Sequence, residues 1–201
     1  MAWTTPRTWT TSEIVTASMM NTHVRDNLNE TAPGKATAAR QTVWSSAANA
    51  ISMVTNSVYK TADETVNNST TLQNDDHLLF SIAANEVWAF DMFMYYTIAS
   101  GNPGVKWAFT VPASCTGWYQ TATVAANIDA GGGTNAIFSN AIATTSGFTP
   151  TGLTSFLIVH HGNIVNSTNA GTIQFQWAQN AAVASDLKLK LGSYLSLKRL
   201  A

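Results

Sequence analysis

The sequence predicts a mainly β protein, in which an N-terminal arm and a short helix precede an antiparallel β-sandwich or jelly roll. From about Val43 onward, apolar and polar residues alternate with a period of two, as they do in half-buried strands. Turn-forming residues separate these alternating runs. Before Val43, one segment instead repeats its apolar residues every four positions, which is the spacing of a helix.

The predicted strands are of two kinds. Residues 105–111, 173–177 and 187–191 place apolar side chains on one face and polar side chains on the other. Residues 87–98 and 153–161 are apolar on both faces, which is typical of strands in the middle of a sheet.

Turn signals divide the strands. Clear breaks lie at residues 101–104, 129–133 and 148–152, and weaker ones at 74–76 and 167–171. We expect seven to ten strands at this spacing, with no helical pattern among them, which favours a sandwich or jelly roll.

A helix is predicted over residues 17–29, with Thr16 as its N-cap. Met20, Val24 and Leu28 recur every four residues and form one narrow apolar stripe. A helix of this length is marginal in water by itself, so we expect the stripe to pack on another surface.

The arm before the helix contains Trp3 and Trp9, and it is too short to fold alone. Exposed tryptophans in an arm indicate docking on a partner, although packing against the chain's own domain is the alternative. Residues 31–42 are small and polar, which predicts a linker. The expected domains are therefore an anchoring arm, helix and linker over residues 1–42 and a β-sandwich over residues 43–201.

Composition and charge exclude several classes of function. Charged residues make up 10% of the chain, against about 25% in ordinary soluble domains. An uncharged polar surface suits a packed assembly, although an unassembled extracellular β protein is the alternative.

The net charge of −1 provides no basic field for nucleic acid, and no apolar run is long enough to cross a membrane. The first residues lack a signal-peptide pattern, so we expect synthesis in the cytoplasm without export.

No catalytic constellation is visible, and we predict a protein with no enzymatic activity, metal ligands or cofactor. Cys115 is the only cysteine, and we expect it to be buried and inert. His160 and His161 are adjacent on a predicted strand and point to opposite faces, so they cannot jointly bind a metal. The acids at 74–76 lack the spacing of a calcium loop, and residues 129–133 lack the lysine of a phosphate loop.

Two sets of residues are candidates for ligand contact. An aromatic set has two interpretations, a sugar-binding face or core and subunit interface, and its alternating positions favour the second. Its members are Trp107, Trp118, Tyr119 and Trp177. The second set lies in the turn segments 129–133 and 148–152, the candidate outer loops, and consists of Asp129, Gly131, Gly133, Phe148 and Gly152.

Residues 5–30 (TPRTWTTSEIVTASMMNTHVRDNLNE) resemble an N-terminal module of structural proteins from tailed bacteriophages. The shared features are Trp9, the run Glu13–Ala17 (EIVTA) and the run Asn21–Leu28 (NTHVRDNL). Residues 66–200 resemble more loosely the β-domain that often follows this module, through the segments VNNSTTLQNDDHLLFSIAANEVWAFDMFMYY, VKWAFTVPA and LKLGSYLSLKRL.

This resemblance implies a non-catalytic protein at the virion surface, whose N-terminal segment binds another virion protein such as a capsid or tail protein. The residues expected to make this attachment are Trp3, Trp9, Met20, Val24 and Leu28. The class is also similar to trimeric tumour-necrosis-factor-like modules, which implies a homotrimer.

Three roles remain open at this point. We favour a capsid decoration or head fibre slightly, because a chain this short forms a compact domain rather than a long fibre. The alternative is a short tail fibre or tail-tip receptor-binding protein, in which the candidate outer loops would meet the host and bind a host-surface glycan. A role of a different class is a soluble carbohydrate-binding β-domain, which predicts a monomer and a dispensable N-terminal segment.

Overall fold

The structure is a computed structural model that describes residues 4–5, 7–31, 35–47, 50–125, 137–150 and 152–201. The chain divides into two compact units, Met1–Asn56 and Ser57–Ala201. Residues 43–55, which the sequence pattern assigns to the β-domain, belong to the first unit, where two antiparallel strands pair with each other.

One continuous helix, α1, lies in the first unit. It consists of an α-helical turn (Ala17–Met20), a π-helical turn (Asn21–Arg25) and a second α-helical turn (Asp26–Asn29). The Thr16 hydroxyl accepts a hydrogen bond of 3.2 Å from the backbone N–H of Met19. The predicted helix over residues 17–29 and its N-cap are therefore confirmed.

The described residues contain fourteen strands, more than the seven to ten expected, because several edge strands have only three to five residues and carry little alternation. Their bounds are β1 Gln41–Ala47, β2 Ala50–Thr55, β3 Ser57–Tyr59, β4 Glu64–Asn67, β5 Gln73–Ile82, β6 Val87–Ile98, β7 Val105–Thr110, β8 Thr116–Ala125, β9 Ile137–Ala141, β10 Ser146–Phe148, β11 Ser155–Val165, β12 Gly171–Gln179, β13 Asp186–Leu189 and β14 Tyr194–Arg199.

The second unit is a jelly roll. Strands β5 to β12 form two antiparallel sheets, in the orders β10-β7-β12-β5 and β6-β11-β8-β9. When strands β5 to β12 are renumbered 1 to 8, the two sheet orders become 6-3-8-1 and 2-7-4-5, which is the strand order of a jelly roll built from two Greek keys. Strands β14, β3, β13 and β4 extend the second sheet beyond β6. We call the first sheet the small sheet and the extended one the large sheet.

Aromatic side chains fill the space between the two sheets. Trp107 on β7 donates its indole N–H to the Tyr119 hydroxyl on β8 at 3.2 Å. Trp177 on β12 packs edge-on against Tyr96 on β6, with ring centroids 5.7 Å apart. Trp107, Tyr119 and Trp177 are all buried, as the core interpretation expects, whereas Trp118 is 65% exposed.

The predicted turn at residues 74–76 is wrong, because these residues lie inside β5. Opposite β12, the register skips from Asn74 to Leu79, so β5 bulges between them. The Asp75 carboxylate accepts two backbone N–H groups of this bulge, which explains how a run of polar residues is accommodated within a strand.

Two further expectations concern single residues. His160 is buried and His161 is exposed, so the two rings do point to opposite faces of β11. Cys115 is half-buried in a turn rather than buried, and partial burial raises the pKa of its thiol.

Candidate interaction surfaces

The arm of the first unit folds back on α1. Asn27 on the helix is buried, its side-chain oxygen accepts the Thr4 N–H at 2.9 Å, and its side-chain nitrogen donates to the Thr4 carbonyl at 3.1 Å. The Trp9 ring lies edge-on to the His23 ring, with centroids 6.5 Å apart. The Arg7 guanidinium lies 5.3 Å from the centroid of Trp9. These contacts give the arm a defined conformation against the helix.

Glu13 holds the turn that joins the arm to the helix. Its carboxylate accepts the Thr10 N–H at 3.1 Å and forms an ion pair with Arg7. Trp9, Glu13 and Asn27 all belong to the motif that carries the resemblance. Within this structure, these residues organise the module of arm and helix itself.

The apolar stripe of α1 is uncovered. Met20, Val24 and Leu28 are all exposed, and Leu28 is 62% exposed. Ile14 and Val15, just before the helix, are exposed as well. Full burial stabilises a side chain of this size by about 1.5–3 kcal/mol, so the stripe is a candidate docking surface. Trp3, the fifth predicted attachment residue, lies outside the described residues, and Trp9 is 41% exposed.

The outward face of the large sheet carries side chains in rows that run across the strands. The antiparallel register places one apolar side chain from each of six strands in a single row. We call this the apolar row, and its members are Tyr59, Tyr194, Phe93, Val159, Ala122 and Ile137. Phe93 and Tyr194 stack with centroids 5.6 Å apart, and Ile137 is 70% exposed.

A polar row lies beside the apolar row on the same face. Its members are Ser57, Ser196, Asp91, His161, Gln120 and Ser139. The Asp91 carboxylate contacts Nδ1 of His161. Exposed Trp118 lies in the row beyond, and its backbone N–H donates to the side-chain oxygen of Asn163 at 3.1 Å. On the other side of the apolar row, Tyr95 pairs with Leu157.

The outward face of the small sheet has a different chemistry. Most of its exposed or half-buried positions are amides and hydroxyls, with Lys106 and Leu79 as exceptions, and Gln176 donates to the side-chain oxygen of Asn74 at 2.8 Å. Ala108 and Ala178 also lie on this face and are buried. The two outward faces of one sandwich therefore differ, because one carries an apolar row across six strands and the other is largely hydrophilic.

The sequence pattern missed the apolar row. Residues 87–98 are apolar on both faces, which we interpreted as burial on both faces of a central strand. The strand is central, but Phe93 and Tyr95 point outward and are partly exposed. Tyr59 comes from the three-residue edge strand β3 and Tyr194 from β14, between β3 and β6, and only the register aligns them with Phe93.

Two of the five candidate outer-loop residues lie in the part of the chain that the structure describes. Phe148 is not a loop residue: it is the last residue of β10, its ring is buried, and it packs against Phe156 with centroids 5.9 Å apart. Gly152 is exposed, with φ +69° and open space around it, as a loop tip requires. Asp129, Gly131 and Gly133 lie outside the described residues.

Within the described ranges, no three His, Cys, Asp or Glu side chains come together in a way that would hold a metal. No helix in that part of the chain is long and apolar enough to cross a membrane. In comparisons with known proteins, no family model, no curated protein and no solved structure matches this chain.

Proposed function

We propose that this chain is a non-catalytic structural protein of a tailed-phage virion, attached by its N-terminal module and displaying the jelly roll at the virion surface. The observation that carries this proposal is the exposed stripe of Met20, Val24 and Leu28 on a helix that the arm holds in place. The arm is fixed by internal contacts, yet the stripe remains free for a partner.

The composition supports membership of an assembly. Only 10% of the residues are charged, so neighbouring subunits can cover much of the surface without burying unpaired charges. The partners in this proposal are other copies of the chain, in a homotrimer, and a major capsid or tail protein that receives the helix.

We favour capsid decoration or a head fibre, because the jelly roll is a compact knob of one domain with no fibrous repeat in its described residues. The second candidate is a short tail fibre or tail-tip receptor-binding protein. The observation that favours this alternative is the exposed indole of Trp118 beside polar side chains, an arrangement on which a host glycan could stack.

The attachment role is tested by Val24→Asp. This change puts a charge in the middle of the stripe, and burying that charge against a partner costs several kcal/mol. We expect the purified variant to unfold at the same temperature as the wild type, because Val24 is exposed in the free chain. Its co-sedimentation with virus particles should fall at least tenfold.

Ser18→Asp is the matched control. It introduces the same charge at an exposed position of the same helix, two residues before Met20 and away from the stripe. This control should bind particles like the wild type. Normal incorporation of Val24→Asp would show that the stripe is not the docking face.

A further inference from the structure

We infer that Lys60 and Asp75 become joined by an amide bond, which forms within the folded chain and releases one molecule of water. Glu64 carries the protons in this step. Each chain reacts a single time and turns over no substrate. The inference concerns a covalent modification of the jelly roll itself, so it goes beyond the proposed function and does not rest on it.

The first observation is a lysine that is buried completely. The Lys60 side chain has no solvent exposure, and its Nζ lies 2.6 Å from Oδ2 of Asp75, which is buried as well. A buried ion pair carries a large desolvation penalty, so well-packed apolar side chains often stabilise a fold as much. An amide bond removes both charges and therefore removes that penalty.

Both residues are held in position by their backbones. The Lys60 N–H donates to the Ser193 carbonyl at 2.8 Å, and its carbonyl accepts the Gly192 N–H at 2.9 Å. The Asp75 carbonyl accepts the side-chain amide of Gln174 at 2.8 Å. Because Cγ of Asp75 is bonded to Oδ2, Nζ lies close to the carbon that it attacks. Reacting groups held in this way have a high effective concentration, which favours a condensation that is unfavourable in bulk water.

The second oxygen of the Asp75 carboxylate already contacts two donors that stabilise an oxyanion. Oδ1 accepts the backbone N–H of His77 at 2.9 Å and that of Leu78 at 2.8 Å. Attack on Cγ gives a tetrahedral intermediate with its negative charge on Oδ1, and paired backbone N–H groups stabilise such a charge. The bulge in β5 therefore provides the donors and leaves Oδ2 beside Lys60.

Glu64 lies where the protons must move. Its Oε2 accepts from Nζ of Lys60 at 2.8 Å, and its Oε1 accepts from the side-chain amide of Gln73 at 2.9 Å. Burial raises the pKa of Glu64, and the charge of Asp75 raises it further. A carboxyl with a raised pKa can accept a proton from the amine and donate it to the leaving oxygen.

The step balances without an oxidant or a further reactant. The Lys60 ammonium carries three protons, of which two pass through Glu64 to Oδ2 of Asp75 and one stays on the new amide. The nitrogen lone pair forms the bond to Cγ, and Oδ2 leaves as water with the electron pair of the broken C–O bond. The ion pairs in the structure are the arrangement that precedes this reaction, and their stabilising effect belongs to the unreacted chain.

The bond would link the two sheets. Lys60 directly follows β3 of the large sheet, and Asp75 lies in β5 of the small sheet. A covalent link between them closes the loop over residues 60–75 and constrains the unfolded chain, as a disulfide does. The chain has a single cysteine, so it cannot form an internal disulfide for this purpose.

The test is the intact mass of the full chain, purified after prolonged incubation in the folded state and then denatured. We expect the wild type to be lighter than the 21.5 kDa sequence mass by one water molecule. Trypsin should then fail to cut after Lys60, so that residues 41–106 remain one peptide, whose fragmentation places the bond between Lys60 and Asp75. A wild-type chain of full mass, with normal cleavage after Lys60, would overturn the inference.

Four variants assign the roles. Lys60→Arg keeps the positive charge and Asp75→Ala removes the acceptor, and neither should lose water. Glu64→Gln keeps the reacting pair and should slow bond formation about a hundredfold or more, followed by intact mass after cell-free synthesis. Asp76→Ala changes the exposed neighbouring acid and should react like the wild type.

Two outcomes with the variants would contradict the mechanism. Water loss that persists in Lys60→Arg or Asp75→Ala would place the bond elsewhere, and an unchanged rate in Glu64→Gln would remove Glu64 from the reaction. The wild-type peptide map decides whether the bond exists even where a variant does not fold.

Discussion

His160 is a titratable side chain enclosed by the aromatic core. Its Nδ1 lies 3.0 Å from the Thr121 hydroxyl, and its ring centroid lies 4.9 Å from that of Tyr119 and 5.2 Å from that of Trp107. Its Nε2 has no hydrogen-bond partner among the described residues. Burial lowers the pKa of His160 to about 3, so the folded protein holds the ring neutral.

This burial predicts acid sensitivity of the fold. The pKa of a histidine in the unfolded chain is about 6.5, so the unfolded state takes up a proton that the folded state excludes. Stability is therefore complete above pH 6.5 and falls as the pH drops toward 3. Lowering the pH from 7 to 5 should reduce the free energy of unfolding by about 2 kcal/mol through His160.

Urea denaturation at pH 7 and pH 5 measures this effect. His160→Gln should remove most of the pH dependence, even though it lowers stability at both pH values. His161→Gln, at the exposed neighbouring position, is the control and should retain the wild-type dependence. Equal pH dependence in the wild type and His160→Gln would contradict this account of the core.

At the scale of single residues, the sequence predicts orientation but not partners. Alternation along β11 places His160 and His161 on opposite faces, as the structure confirms. Thr121 and His160 are 39 residues apart in the sequence, so no local sequence pattern predicts their contact. The half-burial of Cys115 likewise depends on a turn whose packing the sequence does not reveal.

At the scale of elements, an ion cluster ties β4 and β5 to the segment that follows β3. Lys60 is fully buried, and its Nζ donates to Asp75 at 2.6 Å and to Glu64 at 2.8 Å. Burial raises the pKa of Glu64. Because β4 belongs to the large sheet and β5 to the small sheet, the cluster joins the two sheets at this edge of the sandwich.

A double-mutant cycle tests the cluster. Lys60→Met leaves the Asp75 carboxylate buried without its cation and should cost about 3–5 kcal/mol of unfolding free energy. The double variant Lys60→Met/Asp75→Asn removes both charges and should lose at least 1 kcal/mol less than the sum of the single changes.

Lys190→Met is the control for this cycle, since its ion pair with Asp63 lies near the surface and should contribute about 1 kcal/mol or less. Urea unfolding curves measure the free energy of unfolding of the wild type and of each variant. Strictly additive losses for Lys60→Met and Asp75→Asn would show that the two side chains do not act as a pair.

Long elements were predictable and short ones were not. The helix over 17–29 and the strand over 87–98 have the predicted bounds, because the helix repeats its apolar spacing along its length and the strand is a long, largely apolar run that ends before a clear turn signal. Strands β3, β4 and β10 have three or four residues, too few for alternation to show. The bulge in β5 resembles a turn in sequence, because its Asp75 provides the hydrogen bonds that turn residues usually provide.

At the scale of the whole molecule, the sequence predicts a sandwich or jelly roll but not the order of its strands. The pairing of β5 with β12 joins residues such as Phe80 and Ile173, more than ninety positions apart. Only the assembled sheet aligns the apolar row, for the same reason. The stripe on α1 was predictable, since its three residues belong to one element.

The exposed stripe on α1 is the surface assigned to attachment, and exposed Trp118 is the side chain that the receptor-binding alternative uses for contact with a host. The attachment assignment is tested by a change within the stripe, and its failure would leave the account of the fold and the core unaffected.

The most direct test of the central claim is electron microscopy of intact phage particles labelled with gold-conjugated antibody raised against residues 57–201. The account predicts label on the particles, distributed over the heads; label confined to the tail end would select the receptor-binding alternative within the same proposal. Particles that carry no label, while the antibody recognises the purified protein, would contradict the claim that this chain is part of the virion.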